Sequence, residues 1–471
     1  MSSVTVLRIL AQFLAVPILA RLLSPIDYGV VAMAMPFVLF AMMIADAGIG
    51  MSLVRTPLSE RGTWSTCFWL SAILGSILAV TMAILAPVAA MVFDERELEP
   101  IVRTLGLVVF AQAISSVPGA ALQRSQKYKC IAVTEMAGIA VGIGTAIVVA
   151  SYGYGAWALV SQQLAFYAMR LCLTFYFSRF VPAMVWDLQG VKEHLAFGRD
   201  VLSVNIVGFF TRSIDNLVIG KALGAAAVGV YSMSFQFARL PIMLVTGPLQ
   251  FVLYGQCAAA NTDAKAICSM FLILTQLLAI AVIPTMGMIA AAYHPVFSLL
   301  LSEKWAASGV LFMLASPACA FQAVTALCST ILLVLGRAEV RLRMTLEFGA
   351  LWIVGLLIGA SIGLNAVAVL YNLVVIIYLP RTFGLVLPMI DCPAKSYWRA
   401  VRVPIYMTAA CVCAHLMLTY YLRVGDVGQL AVAAVLWCLC TAICWVVQMR
   451  GIVSEVSLLR LAELSHSTQL P

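Results

Sequence analysis

The chain has 471 residues, of which 63% are hydrophobic and only 10% charged, with a mean hydropathy of +1.04. A soluble chain would carry roughly 25% charged residues, so a water-soluble globular protein is excluded, and apolar runs long enough to cross about 30 Å of hydrocarbon as helices recur from end to end. The net charge of +8 carries its information in its distribution between loops rather than in its sum.

Fourteen spans are expected in chain order: 4–23, 28–51, 64–92, 101–123, 131–151, 154–178, 196–221, 226–253, 267–293, 307–335, 342–362, 364–387, 401–421 and 427–449. The first mimics a signal peptide, but no small-residue cleavage site precedes Arg21 and further spans follow. The short alternating segments of a membrane β-barrel are absent from the sequence. The connecting segments leave no room for a soluble domain. Lys and Arg crowd into alternate loops, at Arg55 and Arg61, Arg124 to Lys129, Arg337 to Arg343 and Lys395 to Arg402. The other set holds only Arg21, Arg96, Arg103, Lys221, Lys304 and Arg423. The positive-inside rule then places both termini in the cytoplasm. The thirteen cysteines fall mostly within apolar runs and read as packing residues. The four histidines are scattered, so no metal site is expected.

The sequence repeats itself. ARLLSPIDYGVVAM (20–33) returns as GKALGAAAVGVYSM (220–233), with Gly29 matching Gly229 and Met33 matching Met233. The basic loops LQRSQKYK (122–129) and LGRAEVRL (335–342) follow the fourth span of each copy. Each loop precedes a span with small-xxx-small spacing, Gly138 and Gly142 in one and Gly355, Gly359 and Gly363 in the other. GAWAL (155–159) and NAVAV (365–369) open the sixth spans. A repeat of six spans, an even number, enters the membrane twice from the same side, which predicts a parallel pseudo-twofold. The expected architecture is an all-α polytopic membrane protein. It has an N-terminal six-helix lobe (1–180), a cytoplasmic linker (181–195), a C-terminal six-helix lobe (196–390), and two additional helices with a cytoplasmic tail (391–471).

Ionisable residues at bilayer depth are functional candidates. Arg8, Arg212 and Arg239, on equivalent or neighbouring helices of the two copies, are expected to line a shared cleft, where guanidinium forks suit phosphate oxygens. Asp46 and Asp215 lie beside them, and Glu135 with Arg170 forms a further candidate pair. Two readings stay open: an anion-binding cavity, or structural ion pairs between Arg8 and Asp46 and between Arg212 and Asp215. Either reading lets the carboxylates take up H⁺ or Na⁺. No cofactor, catalytic constellation or nucleic-acid-binding feature is expected.

Five stretches resemble Wzx-type polysaccharide flippases of the multidrug/oligosaccharidyl-lipid/polysaccharide exporter superfamily. They are ARLLSPIDYGVVAMA, IADAGIGMSLV, RSIDNLVIGKALGAAAVGVYS, LLLSEKWAASGVLF and ILLVLGRAEVRLR. The resemblance implies fourteen helices and alternating access, in a multi-pass protein of the bacterial inner membrane. The implied substrate is an undecaprenyl-diphosphate-linked oligosaccharide moved from the cytoplasmic to the periplasmic leaflet. It also implies a polysaccharide polymerase and a chain-length regulator as partners, in capsule, exopolysaccharide or O-antigen synthesis. The family's cationic cavity corresponds to Arg8, Arg212 and Arg239. Family members carry a longer segment before span 1, so span 1 is expected to be short at its cytoplasmic end. A drug/cation antiporter of the same superfamily would need an acid-dominated cavity. A membrane-embedded polymerase or glycosyltransferase would need a large extramembrane loop.

Overall fold

The computed structural model describes residues 2–46, 48–58, 60–259, 264–422 and 425–467. Among them there is no strand. In chain order the helices are α1 (Ser2–Leu22), α2 (Pro25–Asp46), α3 (Ile49–Leu53), α4 (Arg61–Phe93), α5 (Leu98–Arg124), α6 (Tyr128–Ser151), α7 (Trp157–Ser178) and α8 (Leu188–Pro241). They continue as α9 (Gly247–Ala259), α10 (Ala264–Ala291), α11 (Tyr293–Leu300), α12 (Ala306–Val334), α13 (Ala338–Ile362), α14 (Leu364–Val386), α15 (Ala394–Leu422) and α16 (Asp426–Ser467). Among the described residues, eleven stretches are long and apolar enough to cross a membrane. The stretch Ser213–Gly255 covers the end of expected span 7 and all of expected span 8, with Gly224 between them. Gln162, Gln163 and Arg170 lower the hydropathy of α7, and Phe13–Leu22 of α1 is an apolar piece among the described residues.

Local chemistry explains the boundaries. Pro25 opens α2 behind a Ser-x-x-Asp box. Ser24 donates its backbone N–H and its hydroxyl to Asp27 Oδ2, both at 2.7 Å, and the Asp27 N–H returns to Ser24 Oγ at 3.3 Å. α12 ends where Gly336 adopts φ +69°, which lets the Arg337 N–H reach the Leu332 carbonyl at 2.8 Å. α8 is interrupted at Gly224 (φ 81°, ψ 177°), inside the loop expected between spans 7 and 8. Beyond Pro241 the helix loosens into a π turn over Ile242–Thr246.

Contacts divide the chain into two compact units, Met1–Ser232 and Met233–Pro471. The division by repetition at 180–196 is a different one, since it follows sequence similarity rather than contact. In the first unit α4 packs on α5 and α6 on α7. A Cβ on Gly142 would come within 2.9 Å of the Gln162 carbonyl, so the helices touch through the small-residue face of α6. The duplicated glycine segments also meet. A Cβ on Gly29 would strike the Ala225 carbonyl, and one on Gly229 would strike the Pro25 carbonyl, a reciprocal contact between repeat-related residues. Asn216 adds a side-chain bond to the Ala32 carbonyl at 3.1 Å.

The segment between α7 and α8 is an extended strap laid along the first turns of α4. Ser65 accepts the Ala183 N–H at 3.0 Å, and Trp69 donates to the Ala183 carbonyl at 3.0 Å. Thr66 accepts the Asp187 N–H at 2.8 Å and lies 3.1 Å from the Val185 carbonyl. The polar run Thr63 to Thr66 is thus buried because it satisfies a non-helical backbone. His194, at the start of α8, closes the arrangement with Nδ1 2.8 Å from Ser52 Oγ. In the second unit α13 and α14 pack through Gly355 and Gly359. α15 and α16 lie on α10 around Ile280, Met288, Cys411, Cys440 and Cys444.

Candidate transport site

In the first unit Glu135 and Gln112 meet at Arg170. Its guanidinium sits 3.3 Å from Glu135 of α6, donates to Gln112 of α5 at 2.8 Å, and lies 5.9 Å from the centre of the Tyr167 ring. Asp46 is the last residue of α2. The partners are half-buried, with side-chain exposures of 30% for Arg170 and 20% for Glu135. Glu135 lies about 10 Å along α6 from its first residue, taking a rise of roughly 1.5 Å per residue.

Asp215 accepts a 2.7 Å hydrogen bond from Tyr231, a buried ring on the far side of the Gly224 break. That bond ties the two stretches of α8 together. The side chains of Arg8 and Arg212 lie outside the described residues, so the pairs Arg8–Asp46 and Arg212–Asp215 are not among the contacts. Arg239 is described. It is exposed, two residues before Pro241, and has no ion-pair partner among the described residues.

The second unit holds a cluster that sequence reasoning missed. Arg381 of α14 forks onto Glu347 of α13 with two contacts of 3.2 Å, and Arg343 reaches the same carboxylate at 2.8 Å. Tyr378 donates to the Met344 carbonyl at 2.9 Å and lies 3.3 Å from Glu347. The repeat carried the signal. The register that aligns GAWAL with NAVAV brings Tyr167 and Arg170 to within one residue of Tyr378 and Arg381, and the basic-loop register does the same for Glu135 and Glu347. YAMR in α7 and YLPR in α14 are one motif, and in each copy its arginine pairs with a glutamate from the preceding helix.

Paired small-residue helix contacts, a duplicated set of spans and arginines held at membrane depth define a helical transporter of the exporter type. The chain belongs to the polysaccharide biosynthesis protein family, whose model matches residues 18–309. It is 28% identical over 63% of its length to the succinoglycan biosynthesis transport protein ExoT of Rhizobium meliloti, of which the match spans 60%. It is 24% identical to the teichuronic acid biosynthesis protein TuaB of Bacillus subtilis, over 79% of this chain and 77% of that one. It is 22% identical to the lipopolysaccharide biosynthesis protein WzxC of Escherichia coli, over 91% and 87% respectively. Among solved structures, the lipid II flippase MurJ in an inward closed conformation superposes with a TM-score of 0.75. That match is 12% identical and covers 95% of this chain and 99% of MurJ. An inward-facing multidrug resistance transporter of the MATE family gives 0.64 at 16% identity, over 82% and 96%. These two define the fold, that of a multi-pass helical membrane protein.

Proposed function

We propose that the protein is a flippase. It carries a lipid-diphosphate-linked oligosaccharide from the cytoplasmic to the periplasmic leaflet by alternating access, without covalent chemistry. The diphosphate docks on Arg8, Arg212 and Arg239, and the prenyl tail stays in hydrocarbon. The protein's contribution is to remove the cost of drawing charge and hydroxyls through the bilayer. One contrast carries the reading. Arg170 and Arg381 are each neutralised by a glutamate, whereas Arg239 is exposed with no ion-pair partner among the described residues. A cation kept unneutralised in a membrane helix suits an anionic ligand. The polysaccharide-synthesis names of the family and its relatives agree with the substrate class.

Asp46 and Asp215 are the proposed sites of H⁺ or Na⁺ coupling, with Glu135 and Arg170 beside them as an ion pair. The distribution of Lys and Arg supports cytoplasmic termini. Polymerase and chain-length regulator are the proposed partners on the periplasmic side. The test is complementation of a deletion strain. Arg239→Ala should abolish surface polysaccharide with the membrane level of the protein unchanged, and Arg239→Lys should restore part of it. Full export by Arg239→Ala would refute the docking role.

A further inference from the structure

The Glu–Arg pair occurs at matching places in both copies of the repeat, so a shared structural role accounts for it. What the second copy adds is not accounted for. With Glu135 aligned on Glu347, Arg343 stands where the first copy has Ile131, and Arg341 where it has Lys129. Arg343 and Arg381 therefore share a single carboxylate, Glu347, while Arg341 stands two residues before Arg343 on α13, and all three arginines are exposed. Beside them opens a cavity of about 240 Å³ between α12, α13 and α14. Gln322, Ser329, Leu332, Phe348 and Tyr378 line it, and Arg341 stands among its lining residues.

The arrangement has two chemically different ends. One is a surplus of guanidinium charge in the first turns of α13 and the last turns of α14, at headgroup depth for whichever membrane face carries the 337–343 loop. The other is a largely apolar slot running in among the helices. A free inorganic anion would use only the first and a neutral lipid only the second. A lipid phosphodiester uses both, because guanidinium forks match phosphate oxygens and basic pockets between transmembrane helices take up anionic headgroups.

We propose that this cavity binds an anionic phospholipid of that leaflet, with the phosphate on Arg341 and Arg343 and one acyl chain in the slot. The Arg381–Glu347 pair is the wall that holds Arg343 in place. The site is distinct from the diphosphate-docking arginines, and its occupant bridges three helices of the second unit.

The test uses the full-length protein, purified in detergent and titrated with dioleoyl-phosphatidylglycerol, dioleoyl-phosphatidylcholine or inorganic phosphate. Bound lipid is counted by native mass spectrometry. Phosphatidylglycerol should be retained severalfold more strongly than phosphatidylcholine, and inorganic phosphate should not displace it. The double variant Arg341→Gln/Arg343→Gln should lose that preference. So should Ser329→Phe, which fills the slot and leaves every charge in place. Equal retention of the two lipids by the wild-type protein would overturn the proposal without recourse to any variant. Unchanged retention in both variants, full displacement by inorganic phosphate, or one-for-one displacement by undecaprenyl phosphate would also overturn it; the last would assign the cavity to the carrier lipid. Arg239→Ala should retain phosphatidylglycerol as the wild type does, so failure of the flippase reading and failure of this one are separable.

Discussion

Arg170 and Arg239 illustrate how environment sets the role of one side chain within a membrane helix. Arg170 has a carboxylate at 3.3 Å, an amide at 2.8 Å and a ring beneath it. Removing it takes from Glu135 the cation at 3.3 Å and from Gln112 the donor at 2.8 Å. An unsatisfied buried group costs about 1–3 kcal/mol, and more when charged. Arg170→Ala should therefore lower the thermal midpoint of the purified protein, and Arg170→Ala with Glu135→Gln should recover part of the loss. Arg239 supports no such network, so Arg239→Ala should leave the midpoint within the usual range of a surface change, about 0.5 kcal/mol, while abolishing export. The pairing of Glu135 with Arg170 was legible because both are rare residue types at similar depth in adjacent spans. The Glu347 cluster was equally legible in principle, through the YxxR repetition, but short polar motifs inside apolar runs are hard to see until the partner glutamate is known. Tyr231 as the partner of Asp215 was not legible at all, because the break at Gly224 decides which residues come together.

Among the elements, the spans were the most readable feature, since a hydrocarbon solvent leaves the backbone little choice but to form helices. Their ends followed local chemistry that the sequence displays openly, as with Ser24, Pro25 and Asp27 at the start of α2. The strap at 180–187 was not readable. It rests on hydroxyls of α4 whose neighbours lie more than a hundred residues away, so Thr63, Ser65 and Thr66 look like ordinary helix residues in sequence. Thr66→Val keeps the shape and removes the hydroxyl that serves both Asp187 and Val185. It should destabilise the protein by about 1–2 kcal/mol, at roughly 0.5–1.5 kcal/mol per hydrogen bond. It should also speed proteolytic cleavage between residues 179 and 187, read as the rate of nicking by a soluble protease on the purified chain.

At the scale of the molecule, duplication organises the chain, and its traces stand in the amino-acid sequence itself: the glycines at 29 and 229, the basic loops, and the small-residue spans. The outcome of that duplication in contacts does not. The first compact unit extends to Ser232, because the opening of the second copy packs against α2. The expected sidedness has a direct check: a green fluorescent protein fused after Pro471 should fluoresce and an alkaline phosphatase there should be inactive, and the reverse pattern would invert the topology. The meeting of Gly29 with Gly229 has a consequence of its own. Each residue gives up its side chain to make room for a carbonyl of the other helix, so sliding α2 along its neighbour by one turn would push Met33 or Met233, the next residues on that face, toward that oxygen. The contact resists telescoping. A working stroke that passes through it is therefore a rotation about a fixed point, and Gly29→Leu should jam or pry open that bearing however sound the remainder of the protein.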